Sequence, residues 1–229
     1  MTAQLIRKCT NHRNSAQVTA RLLLEFGAVN ARPQEPYKLT SGRLSPVYVD
    51  CRRIISFPAA RDEIMDRAVK LIEHAVAPGT VDMVAGGETA GIPFAAWIAQ
   101  RMNLPMLYVR KEPKGFGRMA QIEGHMEEGA RVLLVEDLAT DGGSKIHFVN
   151  ALRQAGAEVS DAFVIFHCGI FPESTDSLLK MGVRLLELTT WWDVLEVARE
   201  TGVFDEATAA EVRAFLEDPE GWPQGREQG

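Results

Sequence analysis

Short apolar strands and amphipathic helices alternate along most of the chain. Val132–Val135 is a run of four aliphatic residues, which is too short for a helix and typical of a strand buried on both faces. Similar strand patterns occur at 81–85, 105–110, 159–166 and 183–188, and helical spacings occur at 58–75, 91–102, 144–152, 174–181 and 191–200. This alternation predicts an α/β fold in which a mostly parallel central sheet is flanked by helices.

The two ends of the chain follow different patterns. Residues 15–26 predict a helix, and residues 37–50 predict two short extended segments that would form a small subdomain, here called the hood. An edge hairpin that only covers the core is the alternative for the hood. Asp205 can cap a last amphipathic helix. We therefore expect an N-terminal helix and hood over 1–55, an α/β core over 56–204, and a C-terminal helix and tail over 205–229.

Composition limits the classes of function. The chain has 229 residues, a net charge of −6 and a pI near 5.5, which argue against a general nucleic-acid or membrane surface. No apolar run approaches the ~18–20 residues needed to span a bilayer. The N-terminus predicts no signal peptide, and three widely spaced cysteines fit a reducing compartment. We therefore expect a cytoplasmic protein without nucleic-acid or membrane partners.

An acidic pair and a glycine-containing loop follow the Val132–Val135 strand. Glu136 and Asp137 come first, and residues 140–144, here called the phosphate loop, precede a predicted helix. Glycine N–H groups, the Thr140 and Ser144 hydroxyls and the helix dipole all favour a phosphate at this end of the strand. Carboxylates would repel that anion, so they fit another part of the same ligand, such as vicinal hydroxyls of a sugar. The alternative is that the pair only caps the helix.

A second candidate region is the cationic loop, residues 110–118. It carries four cations within nine residues of an acidic protein. A solvated charged loop is the alternative, but this one follows a predicted parallel strand at the sheet edge where the phosphate loop also lies. Such a loop suits closure over an anionic leaving group. The turn at Gly86–Gly91 is a weaker anion-compatible signal, and the five histidines lack metal-ligand spacing, so no metal site made by the protein alone is expected.

Taken together, these stretches resemble the type I phosphoribosyltransferases, which bind 5-phosphoribosyl-1-pyrophosphate (PRPP), and within them the orotate branch. The resemblance covers roughly residues 15–165, and Glu136 stands where the common form of the motif has Asp. Its specific parts are Leu39–Tyr48, Gly86–Pro93, Arg110–Lys114 and Val132–Ser144. It implies the type I fold with a hood, and a pentosyl transfer that makes orotidine 5′-monophosphate in pyrimidine (UMP) synthesis.

The resemblance also implies roles for individual residues. Glu136 and Asp137 would hold the ribose 2- and 3-hydroxyls, and the phosphate loop would cradle the 5-phosphate. Arg110, Lys111 and Lys114 would neutralise pyrophosphate. The catalytic candidates are Lys114, Asp137 and Glu136. The implied PRPP-binding residues are Arg110, Lys111, Lys114, Glu136, Asp137, Leu138, Ala139, Thr140, Asp141, Gly142, Gly143 and Ser144. The implied orotate-binding residues are Thr140, Val47, Tyr48 and His167.

The family's chemistry needs no protein nucleophile, because its transition state resembles an oxocarbenium ion and catalysis comes from positioning and charge stabilisation. Mg²⁺ is the implied cofactor, held mainly by PRPP and water rather than by protein ligands. The implied partners are PRPP, orotate and a second subunit, in a homodimer that shares the segment 111–125 between subunits.

Three positions depart from the family pattern. Phe116 stands where many relatives have a loop histidine, and Thr40 where some have lysine. His167 lies where most relatives have an Asp-Arg pair whose arginine contacts the orotate carboxylate. It could take over that contact or be structural. Two other functions therefore stay open, a phosphoribosyltransferase for another base and a non-catalytic PRPP-sensing regulator, although the hood argues against the first and the intact cationic loop against the second.

Overall fold

The computed structural model describes residues 3–39, 42–117, 120–140, 143–171 and 173–222, and for residues 3–11, 173 and 174 it describes the backbone alone. In chain order the elements are α1 (Ala3–Glu25), β1 (Val29–Ala31), β2 (Tyr37–Lys38), β3 (Leu44–Ser45), β4 (Val47–Val49), a 3₁₀ helix (Cys51–Ser56), α2 (Pro58–Ala75), β5 (Met83–Gly87), α3 (Gly91–Met102), β6 (Met106–Val109), β7 (Ile122–Glu123), β8 (Arg131–Ala139), α4 (Gly143–Gln154), β9 (Glu158–His167), α5 (Glu173–Lys180), β10 (Arg184–Thr190), α6 (Trp191–Glu200) and α7 (Glu206–Glu217). They divide into two compact units, Met1–Ala60 with Thr189–Gly229, and Arg61–Leu188.

The first unit contains the hood. Strand β1 pairs antiparallel with β4, with Val29 opposite Val49, and β2 pairs antiparallel with β3, with Tyr37 opposite Ser45. Two extended segments around residues 41–43 were predicted, but the structure splits the second one, because β4 leaves the hairpin and pairs with the unpredicted strand β1. Helix α1 begins well before the predicted residue 15 and ends at Glu25, followed by Gly27 with a φ of 64°.

The N-terminal and C-terminal segments belong to the same unit, since α1 packs on α6 and α6 packs on α7. Thr190 and Asp193 form a capping box at the start of α6. The predicted cap at Asp205 is confirmed, because its carboxylate accepts a hydrogen bond from the backbone N–H of Thr208 at 2.7 Å. The predicted boundaries at residues 55 and 204 remain a prediction.

The second unit is built on a six-stranded sheet in the order β10-β9-β8-β5-β6-β7. The pairs β5–β6, β5–β8 and β8–β9 are parallel, and only the short β7 is antiparallel to β6 among the pairings described. In β8 every residue from Val132 to Asp137 is buried, so both faces of this central strand are covered. The predicted α/β class with a mostly parallel sheet is therefore confirmed.

The core of this unit fills the space between the central strands and the helices. Helix α3 packs on β5 and β8, and α4 packs on β8 and β9. The largest fully buried side chains there include Phe94 and Phe148 from these helices and Leu107, Leu133 and Phe163 from the strands. Within the described ranges, no helix is both long enough and apolar enough to cross a membrane.

Candidate active site

The acidic pair lies inside strand β8 rather than after it. Pairing with β9 continues past Glu136 to Ala139, which lies opposite His167, whereas pairing with β5 stops at Val135 opposite Gly86. The prediction that the acidic pair follows the strand was therefore wrong, because β9 supplies ladder partners that sequence alone did not show. From Glu136 onward β8 borders the turn between β5 and α3.

Two glycines at the ends of that turn make room for the Glu136 carboxylate. A Cβ atom at Gly91 would lie 2.5 Å from Oε1 of Glu136, and one at Gly87 would meet the same oxygen and lie 2.6 Å from Cε2 of Phe148. Residues with a side chain are therefore excluded at both positions unless Glu136 and other neighbours move, since a Cβ at Gly91 would also meet the backbone oxygen of Val135. Glu136 is only 7% exposed, and its Oε1 has no hydrogen-bond partner among the described residues.

The charge state of Glu136 reflects this burial. Desolvation raises the pKa of Glu136 to about 7, against the opposing effect of Lys145, with Asp137 adding to the rise and Lys111 opposing it. Nζ of Lys145 lies 3.9 Å from Oε2 of Glu136, and it donates a hydrogen bond to Oγ of Ser144 at 3.2 Å. A buried carboxylate and a buried ammonium thus meet beside the phosphate loop.

The role of Lys145 was missed by the sequence analysis. Lys145 is 4% exposed and shares one helix face with Phe148, Val149 and Leu152. This spacing of three, four and seven residues is the core-facing spacing of a helix, so a lysine at its start was the available signal.

The phosphate loop connects β8 to α4. Thr140 follows β8 and is exposed, and α4 begins at Gly143, with Gly143 and Ser144 exposed in its first turn. The N–H groups of a first helical turn have no partner within the helix, so they can bind an anion together with the two hydroxyls. Asp141 and Gly142, also predicted here, lie outside the described residues. Leu138 and Ala139 are the last residues of β8, and Leu138 N–H donates to Oδ1 of Asp137 at 2.9 Å.

The cationic loop leaves the sheet between β6 and β7. Its backbone closes through hydrogen bonds from Arg110 N–H to Gln121 O at 2.8 Å and from Lys114 N–H to Ala120 O at 2.7 Å. Lys114 is mostly exposed, and Phe116 is fully exposed near the loop tip. Oε1 of Glu123 lies 3.6 Å from Nη1 of Arg110 and 3.8 Å from Nζ of Lys114. Arg118 lies outside the described residues.

Three side chains that the sequence analysis did not select hold the start of this loop. Oε2 of Glu88 accepts a hydrogen bond from Lys111 N–H at 2.8 Å. Gln121 donates to the carbonyl oxygen of Arg110 at 3.1 Å, and Nε2 of His147 lies 2.9 Å from the carbonyl oxygen of Lys111. Since His147 belongs to α4, the cationic loop is tied to the helix that begins at the phosphate loop.

The predicted orotate-binding residues are distributed over both units. In the second unit, His167 ends β9 opposite Ala139 and is 7% exposed, and burial, with Lys145 adding to it, lowers the pKa of His167. His167 is therefore a neutral hydrogen-bonding group rather than a cation at neutral pH. In the first unit, Val47 is buried, and the ring of Tyr48 stacks on Tyr37 with centroids 5.2 Å apart.

Known proteins are similar to this chain in sequence and in fold. The model of the phosphoribosyl transferase domain matches residues 53–192. Orotate phosphoribosyltransferase of Cereibacter sphaeroides is 57% identical over 212 residues, which cover 92% of this chain and 91% of that protein.

Two solved structures are similar as well. The orotate phosphoribosyltransferase of Aeropyrum pernix has a TM-score of 0.69 and 33% identity, covering 81% of this chain and 99% of that one. The Mycobacterium tuberculosis orotate phosphoribosyltransferase in complex with PRPP has a TM-score of 0.57 and 25% identity, covering 80% of this chain and 98% of that one.

The parallel sheet, the acidic pair and the match to the domain model define a type I phosphoribosyltransferase. Within that class, the chain belongs to the orotate phosphoribosyltransferase family. The resemblance identified from the sequence is thereby confirmed, whereas the roles of individual site residues stay predictions.

Proposed function

We propose that this protein transfers the 5-phosphoribosyl group of PRPP to N1 of orotate, giving orotidine 5′-monophosphate and pyrophosphate, a step of pyrimidine synthesis. The observation that carries the proposal is the 57% identity to an orotate phosphoribosyltransferase along 92% of the chain. The site supports it, because an acidic pair, a helix N-terminus and a cationic loop lie around one end of the sheet, as a sugar with phosphates at both ends requires.

PRPP binding divides between the strand and the helix. The 5-phosphate binds the first N–H groups of α4 and the hydroxyls of Thr140 and Ser144. The ribose 2- and 3-hydroxyls donate hydrogen bonds to the carboxylates of Glu136 and Asp137, which lie at the β8 end of the same loop. Hydrogen bonds to ionised carboxylates are the stronger kind, so the ring is held in a fixed orientation.

The reaction exchanges one bond at C1 of the ribose for another. The bond from C1 to the pyrophosphate oxygen breaks and its electron pair leaves with pyrophosphate. N1 of orotate forms the new bond, and its proton passes to an oxygen of the departing pyrophosphate or to water. Arg110, Lys111 and Lys114 stabilise the departing charge, and closure of the cationic loop excludes water from the reacting carbon. Positioning of the two reactants supplies the remainder of the rate enhancement.

Mg²⁺ fits this site as an ion that enters with its substrate. Within the described ranges there is no group of three His, Cys, Asp or Glu side chains that could hold a metal ion, and the acidic pair is largely buried. We propose that PRPP oxygens and water supply most of the ligands, as is usual for Mg²⁺. When bound, the ion neutralises part of the charge that develops on pyrophosphate.

Orotate is assigned to Thr140, His167 and the hood residues Val47 and Tyr48. His167 acts there as a neutral hydrogen-bonding group for the carboxylate of orotate, where most of the family has an arginine.

The choice of base is tested by three separate incubations of the protein with PRPP and Mg²⁺, one with orotate, one with uracil and one with adenine. The products are separated by chromatography. Only the incubation that contains orotate should give a nucleotide, orotidine 5′-monophosphate, together with an equimolar amount of pyrophosphate. A nucleotide formed from another base instead of orotate would contradict the proposal.

The protein is further proposed to act in the cytoplasm as a homodimer in which segment 111–125 serves the neighbouring subunit. Mixing Lys114→Ala with Asp137→Asn subunits tests this directly. If the loop acts across the interface, mixed dimers regain one intact site and the mixture recovers about a quarter of the unaltered activity. If the loop acts within its own subunit, every site keeps one defect and no activity returns.

A further inference from the structure

Lys145 is a buried charge that the proposed mechanism does not use. Its side chain is 5% exposed and that of Glu136 is 9% exposed, with the two charged groups 3.9 Å apart. Burying a lysine is costly unless the charge is paired, so its place on the core face of α4 calls for a specific role.

We propose that Lys145 is a positioning residue, whose ammonium group keeps the Glu136 carboxylate ionised and turned so that one oxygen is left for the substrate. The geometry separates the two oxygens of Glu136. Oε2 faces Nζ of Lys145, while Oε1 is buried without a hydrogen-bond partner among the described residues. A buried acceptor of this kind is costly until a donor reaches it, and a ribose hydroxyl of PRPP is such a donor.

Three charged side chains act on Glu136, and Lys145 is the one that forms an ion pair with it. Lys145 approaches from α4, Lys111 acts from the cationic loop, and Asp137 is the neighbour on β8. Gly87 and Gly91, at the two ends of the turn between β5 and α3, lie close to Oε1, and the ring of Phe148 from α4 lies close to Gly87. Desolvation and Asp137 favour the neutral acid, so removal of Lys145 shifts Glu136 toward protonation.

Lys145 is also tied to the phosphate loop through Oγ of Ser144. One ammonium group thus contacts residues assigned to both the ribose and the 5-phosphate of PRPP. This inference rests on the proposed function, because it takes PRPP as the ligand that Glu136 meets.

The test compares Lys145→Met and Lys145→Gln with the unaltered protein, since both remove the charge and Gln keeps a polar head that can hydrogen-bond Ser144. An opposite charge at this distance shifts a carboxyl pKa by about one unit or more. The acid limb of the pH profile of kcat/KM for PRPP should therefore move up by about one pH unit in both variants. At pH 7 the kcat/KM of both variants should be several-fold below that of the unaltered protein, and near pH 9 the difference should disappear. Lys145→Arg should restore most of the original profile, and Lys70→Met, at an exposed site on α2, should not change it.

A titration that does not depend on activity completes the experiment. The ¹³C resonance of the Glu136 side-chain carboxyl, assigned by its loss in Glu136→Gln, should titrate at higher pH in the Lys145 variants. An unchanged titration and an unchanged acid limb would overturn the inference, as would a loss confined to KM for orotate. If the unaltered protein does not use orotate while the carboxyl titration still shifts, the proposed function fails and the pairing of Lys145 with Glu136 stands.

Discussion

Nζ of Lys114 lies 3.8 Å from Oε1 of Glu123, and that same oxygen is 3.6 Å from Nη1 of Arg110. Two cations assigned to pyrophosphate thus face a carboxylate of the protein itself. Lys114 is 73% exposed, so this arrangement is weakly held and readily exchanged for a ligand. We therefore expect Glu123 to compete with pyrophosphate for both cations.

Replacement of this carboxylate should strengthen anion binding. Glu123→Gln removes the competing charge, so the Kd for pyrophosphate should fall about two- to fivefold at low salt, and the gain should shrink at high salt. Titration calorimetry at both salt concentrations measures this. Glu127→Gln is the control, because Glu127 pairs with His125 instead. Equal or weaker pyrophosphate binding by Glu123→Gln at low salt would show that Glu123 does not compete.

A side chain at position 87 should disturb both stability and PRPP binding. In Gly87→Ala the new Cβ would crowd Oε1 of Glu136 and lie 2.6 Å from Cε2 of Phe148, so Glu136 must move. Such overpacking costs about 1–3 kcal/mol in the free energy of unfolding, and KM for PRPP should rise. Denaturant unfolding and steady-state kinetics give the two quantities.

Gly129→Ala is the control that separates a loss of stability from a rise in the KM for PRPP. Gly129 has a φ of 79°, but a Cβ there meets nothing within 4 Å. This variant should lose about 1 kcal/mol through backbone strain while keeping the KM for PRPP. If Gly87→Ala also left that KM unchanged, the glycine would not serve to place Glu136.

The buried Glu136 carboxyl makes stability depend on pH. Its pKa rises from an ordinary value of 4.5 to about 7 in the folded protein, so its favourable contribution is present below pH 4.5 and is lost as the pH rises through 7. Glu136→Gln removes this dependence. The unaltered protein should therefore lose up to about 3 kcal/mol relative to this variant between pH 4.5 and pH 8. Urea unfolding of both proteins across that range measures the difference, and a constant difference would mean that Glu136 stays ionised throughout.

Much of the fold could be predicted because its determinants are local. Helix α2 runs from Pro58 to Ala75 as predicted, since Pro favours a first helical turn and the apolar spacing persists to the end. The aliphatic run of β8 marks a strand covered on both faces. The pairing of β1 with β4 could not be read in this way, because register between short strands depends on contacts between distant segments.

In the candidate site, too, the features that are local in sequence could be predicted and those that depend on distant contacts could not. The acidic pair, the phosphate loop and the cationic loop are contiguous in sequence and could be selected from it. Lys145, Glu88 and His147 were missed, because the roles that the structure indicates for them arise from partners such as Glu136 and Lys111 on other elements. The identity of a residue does not reveal a partner that only the fold brings to it.

The central claim is most directly tested by following the loss of orotate absorbance in the presence of PRPP and Mg²⁺. The unaltered protein should consume orotate only when both are present, and Lys114→Ala should be slower by about 10²- to 10³-fold because a cation that stabilises the departing pyrophosphate is gone. Lys70→Ala, at an exposed site, should match the unaltered protein. Persistent orotate absorbance with unaltered protein that still binds PRPP would contradict the proposed reaction, and full activity in Lys114→Ala would contradict the role of the cationic loop.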